Sequence, residues 1–346
     1  MPEHDNLPHL CFVGPMLGHN PGWVLSQGEI LAELFAREGY PVKLTSTITN
    51  RVLRLGDIAR SLLLWRQEID IVILMVFSGP AFGIVDVASW ITKFIRKPLV
   101  LWLHGGDLPR FSESYPRWVQ RIFRRGDALV SPSGYLVHHL NRLSHRVEII
   151  PNVLEIDNYL FRHRKQVQPR LLWMRTFEDI YYPEMAVEVL AQLRSVYPEA
   201  QLTMAGQDTG MLETVRRFVE RERLGEHVRF PGFLSWEDKK REFAAHDIFL
   251  NTNRVDNMPV SVVEAAAFGL PVVATTVGGI PYLLKDEKTG LLVADEDVQG
   301  MTEAVTRLVA KPELAGHLSA NGRRMAESCD WPQVKNLWEK LFEKIT

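Results

Sequence analysis

The chain has 346 residues, room for about two α/β domains at roughly 150 residues each. Its 46% hydrophobic and 24% charged residues are those of a globular enzyme with sizeable cores, which excludes a disordered or low-complexity protein. The formal net charge of −2 gives no reason to expect nucleic acid as a partner. The charge is uneven, however. Residues 1–151 carry 16 Lys and Arg against 13 Asp and Glu, residues 152–346 carry 24 against 29, and within 90–125 eight basic residues face two acidic ones. Cys11 and Cys329 stand at opposite ends, form no metal-ligand spacing and read as reduced thiols of a cytoplasmic protein. No basic-then-apolar leader opens the chain. The most apolar stretch, Ile69–Ile91, is broken by Asp70, Ser78-Gly79-Pro80 and Asp86, so it reads as a strand, a turn and a helix and not as a membrane span.

Strands alternate with helical patterns throughout, which predicts parallel sheets with helices on both faces. The first half gives strands at His9–Gly14, Val42–Ser46, Ile71–Phe77, Leu99–Leu103, Ala128–Ser131 and Val147–Ile150, with helices at Gln27–Glu38, closed by Gly39, and at Arg54–Glu68. Pro151-Asn152 and the polar run Phe161–Arg170 interrupt the alternation and mark a boundary. It then restarts with strands at Arg170–Met174, Gln201–Ala205, His227–Phe230, Ile248–Thr252, Pro271–Thr275 and near Leu291–Val293. Helices are predicted at Pro183–Val196, Thr209–Arg223, Trp236–Ala245 and Pro259–Phe268. In Trp331–Ile345, Val334, Trp338, Leu341 and Ile345 form one apolar stripe. The expected fold class is α/β, with two Rossmann-like domains facing a central cleft: residues 1–151, residues 152–328, and a C-terminal helix within 329–346 that packs back on the first domain.

The segment Asn251–Leu284 carries the chemistry. Asp256 and Asn257 suit a helix N-terminus, Pro259 suits the first turn, Gly269 stops the helix and Pro271 opens the next strand. Glu264 sits among Val260, Val263 and Ala267 on one helix face, where a carboxylate must be paired or must face a polar cavity. Backbone N–H groups beside Asn257, Val260 and Ser261, with the positive end of the helix dipole, make a ready anion site. Gly278 and Gly279, in the next turn, let backbone approach a ligand.

This segment resembles the donor site of the retaining family-4 glycosyltransferases of the GT-B fold (glycosyl transferases group 1). Their pattern is an acid, seven other residues, a Glu, an Ala-rich stretch, Gly-x-Pro-Val-Val-Ala-Thr and a Gly-Gly turn. The resemblance covers nearly the whole chain. It implies Glu264 on the ribose hydroxyls, Asp256 near the donor sugar, and the Val260-Ser261 backbone near the diphosphate. It implies Arg175, in Trp173-Met174-Arg175-Thr176-Phe177, as the cation on the leaving diphosphate. Gly206 and Phe233 match turns that line the nucleotide; Gly14 and Gly18, in the loop Gly14-Pro15-x-x-Gly18-x-x-x-Gly22, match one that approaches the donor phosphates. His104, directly after the strand Leu101-Trp102-Leu103, matches a His that positions the reacting sugar. Two departures stand out: the first acid is Asp256 in place of Glu, and the customary Lys after Arg175 has no counterpart.

The resemblance thus implies a hexosyltransferase moving a sugar, with retention, from a nucleoside-diphosphate sugar to a hydroxyl acceptor in cell-surface polysaccharide or glycolipid synthesis. UDP and GDP stay open as donor nucleotides, and glycans, glycolipids and small molecules as acceptors. No Asp-x-Asp precedes the donor segment, so neither a metal nor another cofactor is expected. A nucleotide-sugar epimerase on the same fold and a catalytically degenerate sugar-nucleotide-binding protein remain alternatives. Lys93, Phe94, Arg96, Lys97, Arg117, Trp118, Arg121, Phe123, Arg124 and Arg125 combine basic and aromatic residues at helical spacing, which suits peripheral contact through 90–125 with the inner face of a membrane.

Overall fold

The computed structural model describes residues 7–20, 23–140 and 146–346. The chain forms two compact units: Met1–Val153 with Trp331–Thr346, and Leu154–Asp330.

In the first unit the order is β1 (Leu10–Val13), α1 (Gln27–Arg37), β2 (Val42–Thr45), α2 (Arg51–Leu64), β3 (Ile71–Val76), α3 (Phe82–Phe94), β4 (Leu99–Leu103), α4 (Leu108–Ser114), α5 (Pro116–Phe123), β5 (Ala128–Ser131), α6 (Gly134–Leu140) and β6 (Val147–Ile149). The strands make one parallel sheet, β2-β1-β3-β4-β5-β6. Leu10–Val13, Ile71–Val76 and Leu99–Leu103 are buried on both faces, as their unbroken apolar runs require of central parallel strands. Buried Cys11 and Cys329 are free thiols, and burial pushes Cys11 up to about 12.

In the second unit β7 (Arg170–Met174), α7 (Pro183–Leu193), β8 (Gln201–Ala205), α8 (Leu212–Arg221), β9 (Val228–Gly232) and α9 (Trp236–Ala245) precede β10 (Ile248–Asn251) and α10 (Val260–Ala267). There follow β11 (Val272–Thr275), α11 (Ile280–Leu283), β12 (Leu291–Val293), α12 (Val298–Ala310) and α13 (Pro312–Glu327). The parallel order is β12-β11-β10-β7-β8-β9. The chain therefore winds outward one way from β7 and the other way from β10. The switch point falls between these two neighbours, where open α/β sheets bind ligands at the carboxyl ends of the strands.

The helix α14 (Trp331–Ile345) belongs to the first unit. Val334, Trp338 and Leu341 are buried as the stripe predicts, Phe342 joins them, and Ile345 is only partly covered. Trp338 meets Trp102 edge-on at 5.2 Å, and Phe35 packs between Trp331 and Phe342 with ring centroids 5.0 and 5.5 Å away. Tyr40 donates to Glu339 at 2.9 Å, and Lys335 pairs with Glu38 at 2.5 Å. Replacing a fully buried indole leaves a cavity that the neighbours fill only in part. Trp338→Ala should therefore cost about 3–5 kcal/mol, read as a lower midpoint in urea unfolding, whereas Lys340→Ala on the same helix should leave the midpoint in place.

Candidate active site

The switch point brings together residues far apart in sequence. Met174 ends β7 and Arg175 follows; Asn251 ends β10 and the loop 252–259 follows. Arg175 Nη2 lies 2.5 Å from Asp256 Oδ2, which also accepts from the Asn253 amide at 2.7 Å, and Asp256 Oδ1 accepts from the Asn257 N–H at 2.8 Å. The Tyr181 ring lies under the Arg175 guanidinium at 4.1 Å. Thr252 Oγ1 accepts from Trp173 Nε1 at 2.9 Å and donates to the Tyr181 carbonyl at 2.7 Å, tying the loops after β7 and β10 together. Burial pushes the Asp256 carboxyl up, and Arg175, the Asn257 N–H and the Asn253 amide oppose that rise.

This geometry corrects the expectation that Asp256 or Asn257 caps the following helix. The N-cap of α10 is Pro259, no side chain caps it, and the helix starts at Val260. Asp256 is drawn away because a partly buried cation, Arg175, stands across the switch point. Arg175 is correspondingly an ion-paired residue at the mouth of β7, with its Nε buried and unpartnered. The predicted single face of α10 is also revised: Ser261–Ala267 are all buried, so the helix is enclosed rather than amphipathic.

Two glycines allow the loops to close. A Cβ on Gly279 would stand 1.6 Å from the Asn257 carbonyl oxygen, and one on Gly206 would stand 1.8 Å from that of Arg175. A Cβ on Gly278 would stand 2.1 Å from the Asp256 carbonyl oxygen, and the Gly279 N–H donates to that carbonyl at 2.9 Å. The first turn of α10, carrying Val260 and Ser261, thus lies beside a backbone turn with no side chains in the way. Its first N–H groups have no partner inside the helix. Among the described residues Ser261 Oγ is buried without a hydrogen-bond partner, as are both amide atoms of Asn251 and Oδ1 of Asn253. Orphaned polar atoms concentrated at the carboxyl end of one strand are what a polar ligand would satisfy.

Glu264 lies on α10, 6% exposed. Lys239 from α9 grips both its oxygens at 2.8 and 2.9 Å, and the Tyr159 hydroxyl donates to it at 3.4 Å. Burial and then the Glu264 charge drive the Tyr159 hydroxyl pKa upward, so it remains a donor. Lys239, Tyr159, Asn251 and Asn253 were not singled out in the sequence. The asparagines could have been found as polar residues ending an apolar strand; Lys239 sits in a charged helix with no local mark. Phe233, in the turn after β9, is exposed.

The remaining predicted residues lie in the first unit. Gly14 follows β1 and exchanges backbone bonds with Thr45 and Ser46. The Gly18 N–H donates to Glu29 Oε1 at 2.9 Å, and Glu29 closes a capping box with Ser26 at the start of α1. That box was legible as Ser26-x-x-Glu29. Gly22 lies outside the described residues. His104 follows β4, donates its N–H to the Val76 carbonyl at 2.9 Å, and is flanked by Trp102 at 4.2 Å and Phe77 at 5.5 Å. Its Nε2 is buried and unpartnered.

The profile of glycosyl transferases group 1 matches residues 156–325, and that of glycosyltransferase family 4 matches residues 17–158. The chain belongs to the family-4 glycosyltransferases. Among curated relatives, a GDP-mannose-dependent alpha-(1-6)-phosphatidylinositol monomannoside mannosyltransferase of Mycolicibacterium smegmatis is 33% identical over 150 residues, 41% of this chain and 39% of that one. A putative colanic acid biosynthesis glycosyltransferase, WcaL of Escherichia coli, is 26% identical over 250 residues, 68% of this chain and 60% of that one. The first relatives are matched over 39% to 65% of their own length. Sucrose-phosphate synthase from Thermosynechococcus elongatus superposes with a TM-score of 0.81 at 17% identity, covering 98% of this chain and 99% of that one. Anabaena HepE in complex with UDP-glucose gives 0.75 at 16%, covering 97% and 100%. These structures place the family-4 chain on the GT-B fold.

Burial holds the His104 imidazole far below its ordinary 6.5, down to about 3. The folded chain thus binds this proton less readily than the unfolded one. The stability held by the neutral ring is complete above about pH 6.5 and is lost as the pH falls from there toward about 3. His104→Gln should therefore flatten this part of the acid limb, seen as a smaller drop in urea midpoint between pH 7 and 4 than in the parent.

Proposed function

We propose that this chain is a retaining glycosyltransferase that moves a hexose from a nucleoside-diphosphate sugar to a hydroxyl acceptor. The observation that carries the reading is the first turn of α10. Its free N–H groups and the orphaned Ser261 hydroxyl sit beside the Gly278-Gly279 turn, with Arg175 nearby across the switch point. In this reading the diphosphate rests on the helix N-terminus, whose dipole and N–H groups suit an anion. Arg175 exchanges Asp256 for a phosphate oxygen and stabilises charge on the leaving nucleotide, a role that needs no metal ion. Asp256, released on its sugar-facing side and still held by Asn253 and the Asn257 N–H, takes sugar hydroxyls. Glu264 accepts from the ribose, with Lys239 and Tyr159 holding its carboxylate in place.

The donor nucleotide is left open between UDP and GDP: the named relative acts with GDP-mannose, whereas HepE was crystallised with UDP-glucose. The relatives named for a phosphatidylinositol mannoside and for colanic acid support a glycolipid or polysaccharide acceptor here. A screen for nucleotide release from UDP- and GDP-sugars, with soluble and liposome-borne acceptors, tests the reading. Glu264→Ala should lower kcat/KM by about 10- to 100-fold, as expected for losing hydrogen bonds to a charged group. Arg175→Ala should lower kcat by about 100- to 1000-fold. Undiminished turnover in both variants would remove the donor-site assignment.

A lipid-borne acceptor fits an exposed surface of the first unit, although the basic run predicted for it needs revision. Lys93 pairs with Asp127, Lys97 with Asp70, and Arg121 and Arg125 with Asp86, while Trp118 and Phe123 turn inward. Beside the ion-paired Lys93, α3 shows three apolar side chains to solvent: Val87, Trp90 and Phe94, 38%, 57% and 67% exposed, the two rings stacked at 5.7 Å. Among the described residues Arg96, Arg117 and Arg124 have no acidic partner. No described helix is long and apolar enough to cross a membrane. We read this face as seated on an anionic bilayer from the cytoplasmic side, the rings entering the headgroup layer. Trp90→Asp with Phe94→Asp should abolish co-sedimentation with phosphatidylglycerol vesicles while leaving turnover of a soluble acceptor intact. Unchanged co-sedimentation would refute the contact.

A further inference from the structure

The strands that meet at the switch point carry a second charge cluster at their other ends. Arg170 opens β7 and Asp247 immediately precedes β10. With the segment 162–166 and Pro312 they line a groove of about 610 Å³. A five-residue strand separates it from Arg175 by about 15 Å of rise, so it is not part of the site described above. Four cations line the groove, Arg162, Arg164, Lys165 and Arg170, against one carboxylate, Asp247.

That carboxylate is fully committed. Its Oδ1 accepts from Arg162 at 2.7 Å, and its Oδ2 accepts from Arg170 at 2.7 and 2.9 Å and from the Gln168 N–H at 3.2 Å. Arg164 receives no such partner. It is 2% exposed, its guanidinium donates only to the carbonyls of Arg162, Phe243, His246 and Phe268, and its Nε is buried without a partner. Among the described residues no carboxylate forms an ion pair with it. Burial and then Arg162 lower its pKa to about 9, against the pull of Asp247. A buried guanidinium satisfied only by dipoles, with three more cations around it, is a costly arrangement that a bound anion would relieve.

We propose that this groove binds an oxyanion of the phosphate class, independently of the donor site. The N–H groups of Arg162 and Arg170 that Asp247 leaves free can donate to phosphate oxygens, and Lys165 adds a mobile point charge at the rim. The groove is wide enough for a phosphate that carries a substituent, so free phosphate and an ester headgroup meet the same chemistry.

The test is thermal unfolding of the full chain in phosphate and in chloride at matched ionic strength. Inorganic phosphate should raise the midpoint above that in chloride. The half-saturating concentration should rise at least tenfold in Lys165→Glu and in Arg162→Gln, both exposed positions. Arg175→Ala, which disarms the donor site, should keep the parental response. Equal midpoints in the two salts, an unaltered response in both groove variants, or loss of the response in Arg175→Ala would each overturn the proposal, the last by placing the ion at the donor site. Flotation with phosphatidic acid vesicles separates the sources: capture that Lys165→Glu abolishes assigns a lipid headgroup, and phosphate binding without capture assigns a soluble ion.

Discussion

The second unit is organised around one ion pair. Parallel winding outward from β7 and β10 forces the loops after those strands to diverge, and the opening between them would hold unpaired backbone and buried side chains. Arg175 and Asp256 close it at 2.5 Å. The pair does more than attract. Asp256 also anchors the start of its own loop through Asn253 and Asn257, and its carbonyl receives the Gly279 turn, so three strand-to-helix loops are registered against one residue. The first turn of α10 lies at the end of this chain of contacts and owes its open N-terminus to them.

The energetic character of such a pair explains why it suits a site. Burying an ion pair is weak evidence of stability, since desolvation offsets most of the Coulomb gain. A partner that can be exchanged for a ligand oxygen at little net cost is a different matter. Glu264 with Lys239 follows the same logic: a carboxylate enclosed in a helix of valines and alanines is paired with and oriented by a cation from the neighbouring element. Both pairs keep charge in place, and both leave it available.

Much of the fold was legible in the sequence. Apolar runs bounded by Gly, Pro and polar residues located β4, β5, β7 and β8 to the residue, because an interior parallel strand buries both faces and tolerates no interruption. The segment Asn251–Leu284 stood out in the sequence as a motif. What was not legible depends on tertiary partners. Asp256 looks like a helix cap until Arg175, 81 positions away, is seen to claim it. Lys239 is one charge among six in α9, and only the packing of α9 beside α10 selects it. In 90–125 the pattern gave the residue types correctly but not their partners: Asp86, which looks unrelated in sequence, gathers Trp118, Arg121 and Arg125 onto one carboxylate. Periodicity reports which side of an element is buried, and is silent on which charge finds which.

The placement of α14 has a consequence for how the molecule is made. The first unit is interrupted after Val153 and resumes only at Trp331, and the second unit is an insertion whose entry and exit run side by side, Leu154 bonding to Cys329 and Ile156 to Asp330. On the ribosome, the sheet β1–β6 therefore emerges early but waits, with Phe35 and Trp102 uncovered, while 177 residues of the second unit are synthesised and fold. Only then do Trp331 and Phe342 arrive to cover Phe35, and Trp338 to cover Trp102. Vectorial synthesis thus finishes the inserted unit before its host, and the half-built sheet is the stage at which a chaperone has something to hold.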